Sequence, residues 1–496
     1  MKKMYPSIAT SRARNNGLLL EMKKPFPQAI RAVLLIIALH FVAGASAQET
    51  AKVPPTAPPT AAEILALIEA NGKMHFADAS ADLAAATARL DAARAGLFPR
   101  LTATAEAKRL NSTLSSNTDS YDFQAGFELI QPIYDFGQTY SRIDAADLER
   151  SAADVALIAA RNTVLVEGLA VFFELHASEL EVQFVDQRYA SDYVKWDRDK
   201  ERMGVGQRSP IEVAGRLATA EKSRLDQRRA KSRNLILRLR LGELTGTVFD
   251  TEMYNPPKGP KKPPPTPEVA DLQKLAEVRN PDILVLRKNL EAVRARRQGT
   301  GSRPRLEAFG EVNKYQRDSR LRDEWAAGAR LVWPMFDGGL KSAERARLAA
   351  EEGRLTARYD RRLLALRRRA HELILAQADA WQQLVAARAG FDFAKKSLLQ
   401  RQRLYETERV TDLGPMMVLF TEAEADVVRA AGAFFVERAR LAVLFGEPPR
   451  RGLEDNFLFD LLGKKVDDAP KTFRPKGGSG FGQDDQDKVN INIKNR

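Results

Sequence analysis

The sequence predicts an α+β membrane protein in which amphipathic β-barrel strands run on into long coiled-coil helices, the whole unit being written twice. Three observations predict it. Four landmarks recur in one order at a near-constant offset, period-2 segments lead directly into long Pro-free heptad stretches, and the N-terminus carries an export signal.

The export signal comes first along the chain. Lys23, Lys24 and Arg31 precede the apolar run Ala32–Val42, which is followed by Ala45-Ser46-Ala47. A positive region, an apolar stretch too short to span a bilayer and a small-x-small site form a secretory signal peptide. Residues 1–47 are assigned to it, with cleavage after Ala47. The residues before Met22 add nothing to this signal, so Met22 is an alternative start. No Cys stands at the cleavage site, which excludes a lipoprotein anchor. No later segment approaches about 18 uninterrupted apolar residues, so no spanning helix is expected, and a membrane-embedded mature chain has to be a β-barrel.

Composition narrows the chemistry. Of 496 residues, 44% are hydrophobic and 29% charged, with no Cys and four His. A disulfide framework and a cysteine-ligated metal or redox centre are excluded. The net charge of +13 admits acidic partners, but the basic residues are interspersed with Asp and Glu along helical stretches, as at Arg361-Arg362 and Arg367-Arg368-Arg369. Such a pattern is a solvated helix face, and with the export signal it argues against nucleic acid.

The duplication is read from landmarks offset by about 200 residues. Phe98-Pro99-Arg100-Leu101 returns as Arg303-Pro304-Arg305-Leu306. Gln131-Pro132-Ile133-Tyr134-Asp135-Phe136-Gly137 returns as Trp333-Pro334-Met335-Phe336-Asp337-Gly338-Gly339. Thr219-Ala220-Glu221 is echoed by Glu422-Ala423-Glu424, and Leu241-Gly242-Glu243 by Phe445-Gly446-Glu447. The implied organisation is a Pro-rich N-terminal linker (48–60), a first repeat (61–255), an extended Pro-rich linker (256–267), a second repeat (268–447) and a flexible C-terminal tail (448–496).

Each repeat passes through the same periods. A helix opens it, from Ile64 to Ala95 in the first copy and from Leu272 to about Arg297 in the second. Alternation follows. Phe123, Ala125, Phe127 and Leu129 face one way and Gln124, Gly126 and Glu128 the other. Trp325, Ala327, Ala329, Leu331 and Trp333 alternate with Glu324, Ala326, Gly328 and Arg330. Two such strands per repeat, joined by the polar stretches 111–120 and 314–322, suit a transmembrane barrel with one lipid-facing side. From Gln138 to Met203 there is no Pro. Leu157, Val164 and Val171, then Leu175, Val182 and Tyr189, stand seven apart, as do Leu384, Phe391, Leu398 and Tyr405. A continuous helix over 138–203 reaches ~100 Å, and a seven-residue column implies coiled-coil packing. The helices turn back near Gly204–Ser209 and near Asp412–Pro415.

No catalytic constellation is present. Gly204-Val205-Gly206 follows a helix and lacks the other glycines of a phosphate-binding loop. His371-Glu372 has no second His one turn on, and His75, His176 and His371 lie in separate helical stretches. Asp135 and Asp337 recur with the repeat and suit helix capping. No enzyme activity, cofactor or metal is expected. The alternative to a membrane protein is a soluble periplasmic coiled-coil scaffold, which accounts for signal and heptads but not for the amphipathic strands.

A signal peptide and two tandem strand–strand–helix–turn–helix halves closely resemble the TolC family of outer-membrane efflux and secretion channels, over roughly residues 60–447. The family's strand-to-helix corner of Pro, aromatic, Asp and Gly is matched by Pro132, Tyr134, Asp135 and Gly137, and by Pro334, Phe336, Asp337, Gly338 and Gly339. The pre-strand Pro-x-Leu is matched at Pro99 and Pro304. The Val-Gly hairpin tip with its later acidic residue is matched by Val205, Gly206, Glu212 and Val213. The resemblance implies a homotrimer in which each chain gives four strands to one twelve-stranded barrel in outer-membrane lipid. A periplasmic helical tunnel would continue it, docked on an adaptor (membrane fusion) protein and an inner-membrane pump. It implies an exit duct for small molecules or proteins, as in tripartite efflux or type I secretion. Adaptor docking would fall on the tips, at Val205, Gly206, Ser209 and Gly414. A periplasmic gate would use Glu212, Tyr405, Arg409 and Asp412. The second tip lacks the Val-Gly pair, and Met416, Met417, Val418, Leu419 and Phe420 stand where the family often has acidic residues.

Overall fold

The structure, a computed structural model, describes residues 59–110, 120–249, 259–260, 262–263, 269–315, 323–407, 412–454 and 457. The signal peptide, most of both linkers, most of the C-terminal tail, and Arg409 lie outside the described residues. The first half runs α1 (Ala61–Asn71), a short 3-10 turn (Gly72–Phe76), α2 (Ala77–Ala95), β1 (Arg100–Leu110), β2 (Ser120–Tyr134), α3 (Gln138–Gly204) and α4 (Pro210–Thr245). The second repeats this order as α5 (Val269–Arg279), α6 (Pro281–Gly299), β3 (Arg305–Tyr315), β4 (Trp325–Val332), α7 (Leu340–Glu406) and α8 (Gly414–Leu444), closed by a 3-10 turn at Pro449–Leu453.

Two expectations are corrected. The opening helix of each repeat is broken rather than continuous. In the second copy Pro281 lacks the N–H a helix needs and starts α6 as its first residue, while the Asn280 side chain accepts from the Asp282 and Ile283 amides at 3.1 and 3.3 Å. In the first copy the break falls at Gly72, where a side chain would be tightly crowded: an added Cβ would stand 3.0 Å from the Leu244 carbonyl oxygen. The landmark pair Gly242 and Gly446 is also not equivalent. Gly242 lies inside α4, whereas the left-handed cap of α4 is Gly246 (φ 66°), matching Gly446 (φ 73°) after α8.

The four strands form one antiparallel sheet in the order β1-β2-β3-β4. Register puts Leu101 opposite Leu129, Ala103 opposite Phe127, Phe127 opposite Val312, and Val312 opposite Trp325. Because side chains alternate along a strand, these residues share one face. Phe127, Val312 and Trp325 are 59%, 60% and 71% exposed, so the apolar face is the bare one. The opposite face carries Thr102, Glu128 and Glu311 in one row, then Arg100, Ile130 and Phe309, and in the row after that Glu307 opposite Arg330. The outer edges of β1 and β4 have no strand partner among the described residues.

The principal core lies partway along the long helices. Ile64, Leu65 and Ile68 of α1 meet Leu165, Leu169, Phe172 and Phe173 of α3, Leu237, Leu241 and Leu244 of α4, and Phe434 and Phe435 of α8. Gly168 is what admits α1: a Cβ there would stand 2.1 Å from Ile68 Cδ1. Both halves of the chain therefore share one core. The heptad column of α7 is buried at Leu384, half-buried at Phe391 and Leu398, and exposed at Tyr405, so packing loosens toward the tip. One window of α3 is long and apolar enough to cross a membrane by length and composition, although polar residues interrupt it as the sequence shows. α1, α4 and α8 pack along this helix, and a third of that window is buried within the protomer.

Candidate functional site

The corners convert strand into helix by the same device twice. Asp135 Oδ2 accepts from the Thr139 amide at 2.6 Å, and Asp337 Oδ2 from the Lys341 amide at 3.0 Å. Each carboxylate thus caps the first turn of a 67-residue helix. Gly137 (φ 81°) and Gly339 (φ 90°) take the left-handed conformation that turns the chain. The copies differ one residue earlier, where Phe136 (φ 57°) stands in place of Gly338 (φ 66°). Arg303, just before β3, donates to the Phe136 carbonyl at 2.5 Å and to the Gln298 carbonyl at 2.8 Å, tying the second repeat to the first corner. Pro132 sits at a shift in the β2–β3 register, and the Pro334 carbonyl accepts from the Ser302 hydroxyl.

At the first hairpin tip, Gly206 (φ 77°) closes α3, its amide donating to Met203 at 3.0 Å. Nothing lies within 4 Å of where its Cβ would be, so the glycine answers to backbone conformation within this chain. Val205 and Ile211 project into solvent at 71% and 85% exposure. Ser209 caps α4: its Oγ accepts from the Glu212 amide at 3.2 Å, and Glu212 Oε2 accepts from the Ser209 amide at 3.0 Å. The remaining Glu212 oxygen takes Arg208 at 3.2 Å. These contacts, led by the Ser209 backbone N–H, hold its carboxyl below the usual Glu range.

Sequence reasoning missed the residue that organises this tip. Asp199, near the end of α3, is 6% exposed and receives Arg208 at 3.4 Å and Arg216 at 3.2 Å. Its partners come from the turn and from α4, so no local spacing announces it.

At the second tip Asp412 is also a cap. Its Oδ1 accepts from the Gly414 amide at 2.8 Å and its carbonyl from Arg401 at 3.0 Å. Tyr405 is half-exposed. Of the gate candidates, Glu212 and Asp412 are thus engaged within their own tips, and no contact joins Glu212 to Tyr405 among the described residues.

The polar sheet face carries a second charged group. Glu307, 7% exposed, receives Arg305 at 2.8 Å and Arg330 at 3.0 Å, and Arg330 stands 5.5 Å over the Phe309 ring. Among the described residues no cluster of three or more metal-ligating side chains occurs. His176 is buried beside Phe172, and burial lowers its pKa to about 4, so it is a neutral core residue near neutral pH.

Comparison with known proteins gives these features a context. Residues 71–247 match the outer membrane efflux protein family. No curated protein matches the chain. The CmeC outer membrane channel of Campylobacter jejuni superposes with a TM-score of 0.64 at 17% identity, over 82% of this chain and 89% of that one. The open-state MtrE outer membrane channel of Neisseria gonorrhoeae gives 0.60 at 15%, over 79% and 90%. The outer membrane protein VceC of Vibrio cholerae gives 0.57 at 16%, over 78% and 96%. At these identities the likeness establishes the fold. Residues 71–247 are similar to the outer membrane efflux protein family, and across both repeats the chain has the fold of these outer membrane channels.

Proposed function

We propose that the chain is one third of an exit duct in the outer membrane, carrying cargo from an inner-membrane pump across periplasm and outer membrane. The observation that carries this reading is the four-stranded sheet with a bare apolar face and two open edges. In hydrocarbon an open edge leaves backbone groups unpaired, so such a sheet is closed only by further copies. Three copies give twelve strands, with Phe127, Val312 and Trp325 toward lipid and Glu307 and Arg330 toward the lumen. The helices α3 and α7, each ~100 Å long, extend the barrel into the periplasm as a tunnel. A soluble scaffold would leave that apolar face in water, the kind of patch that marks a contact surface.

The hairpin tips, Val205, Gly206, Ser209 and Gly414, are the proposed contact with a periplasmic adaptor, Val205 and Ile211 supplying apolar surface there. Glu212, Tyr405, Arg409 and Asp412 form the proposed gate at the tunnel's inner end. The signal peptide, linkers and two repeats keep the boundaries given above. Energy comes from the pump, and the chain itself performs no chemistry.

Deleting the gene tests the duct and its cargo class together. Raised sensitivity to small toxic compounds identifies efflux, and loss of a protein from the secreted proteome identifies type I secretion. A deletion strain unchanged in both contradicts the reading.

A further inference from the structure

At the junction of sheet and helices, on the polar side of the sheet, lies a cleft of about 240 Å³ that the duct architecture does not require. Four guanidinium groups line it, those of Arg100, Arg142, Arg305 and Arg330, against the carboxylates of Asp135 and Glu307. Both carboxylates already have partners. Asp135 caps α3 through the Thr139 amide at 2.6 Å, and Glu307 is held between Arg305 at 2.8 Å and Arg330 at 3.0 Å. A third, Glu128, reaches only Arg330, at 3.9 Å. Arg100 and Arg142 have no carboxylate partner among the described residues and are exposed. The cleft therefore holds two uncommitted cations whose planar, five-donor heads suit a carboxylate or phosphate.

Duplication supplies only part of this arrangement: Arg305 is the repeat equivalent of Arg100, but Arg142 has no such equivalent. Counting from the matched corner glycines Gly137 and Gly339, the position of Arg142 is occupied in the second repeat by Glu344. That residue is paired with Arg347 at 2.8 Å. Among the described residues the uncommitted helix arginine thus stands at one corner, where a structural role in the strand-to-helix turn would call for it at both.

We propose that this cleft is an anion-binding station on the lumen wall, with Arg100 and Arg142 receiving small cargo that bears a carboxylate or phosphate group. The inference rests on the duct reading, in which the polar face lines the pore. Three copies would set six free guanidinium groups at one level of a narrow passage, where low-dielectric walls concentrate the field and raise the local anion concentration.

The test is single-channel recording of the native trimer and of the double variant R100Q/R142Q in planar phosphatidylcholine bilayers, with inorganic phosphate as the probe. The native pore is expected to favour chloride over potassium and to be blocked by phosphate. The double variant should lower the chloride-to-potassium permeability ratio at least about twofold and weaken the block at least about fivefold, while R100K/R142K keeps most of both. Unchanged ratio and block in the double variant overturn the station while leaving the duct intact, as does a cation-selective native pore indifferent to phosphate. Trimers that conduct nothing even in the gate variant E212Q/Y405F overturn the duct reading and the station with it.

Discussion

Asn71 and Asn280 make the same long-range bond in the two halves of the chain. Asn71 Nδ2 donates to the Thr245 carbonyl at 2.8 Å, and Asn280 Nδ2 to the Leu444 carbonyl at 3.0 Å. Each acceptor lies at the end of the returning helix of its own repeat, α4 or α8, where carbonyls lack intrahelical partners. The short opening helices are thereby locked to the ends of the long hairpins. The two sites differ in that Asn280 is buried and also caps α6.

That difference sets the first expected outcome. Asn280→Ala removes a buried bond and a helix cap and should destabilise the protomer by about 2–3 kcal/mol, Asn71→Ala by about 1 kcal/mol. Thermal midpoints in detergent, compared under one scan rate, rank the two. Equal midpoints would show that the extra cap at Asn280 contributes nothing.

Glu179 and Arg238 form an ion pair at 2.7 Å with side chains 6% and 17% exposed. Arg238 also donates to Asn234 at 2.9 Å and to the Phe249 carbonyl at 3.2 Å. Glu179→Ala removes one charge-assisted partner of a largely buried guanidinium and should cost about 1.5–3 kcal/mol, whereas Glu179→Leu with Arg238→Met should recover part of the loss. Urea unfolding monitored by helix signal distinguishes the two. If the single and double variants unfold alike, the loss comes from packing rather than the charged bond.

Glu212 ties tip order to pH. Its folded-state pKa is lowered, so its contribution is fully present above the ordinary Glu value of ~4.3 and is lost as pH falls through the lower folded value. Hydrogen-exchange protection of residues 209–213, corrected for intrinsic rates, should stay level from pH 8 to about 5 and fall below about 4. Glu212→Gln should abolish that step. A step that survives in the variant would place its origin in another group.

Glu212→Gln combined with Tyr405→Phe should raise single-channel conductance in planar bilayers if these residues latch the inner end of the tunnel. Because Glu212 is already engaged by Ser209 and Arg208, Ser209→Ala serves as the control for its capping use. Conductance equal to the parent, with trimers still formed, removes both residues from the latch.

Gly206→Val separates the tip's backbone from its role as a contact. A β-branched residue at φ 77° costs roughly 1–2 kcal/mol, and the empty surroundings add no steric clash. Trimers should still form, with transport lost. Gly206→Asn, tolerated in this region of backbone space, should retain more transport. Full transport in the valine variant would exclude the tip from docking.

Much of the architecture was legible because it is periodic. Gln138 to Met203 lacks Pro and repeats its apolar residues every seven, and α3 runs to Gly204. The alternation of Phe123, Ala125, Phe127 and Leu129 gives the bare face of β2 directly. What escaped depends on distance in space. The bonds of Asn71 and Asn280 to returning helices, the hold of Asp199 on Arg208 and Arg216, and the reach of Arg303 to the Phe136 carbonyl join elements whose approach no local pattern encodes. The Ser209-x-x-Glu212 spacing was a legible capping box, yet the residue drew notice for its place after the tip. Arg142 and Arg100 were invisible as a pair because strand and helix bring them together only at the folded corner.

Native mass spectrometry of the detergent-extracted protein tests the central claim most directly. Four strands with two open edges and an apolar outer face should be closed by two further copies, giving a mass of three chains that persists at low protein concentration. A single folded chain that keeps its strand and helix signals, with no trimer at any concentration, would contradict it.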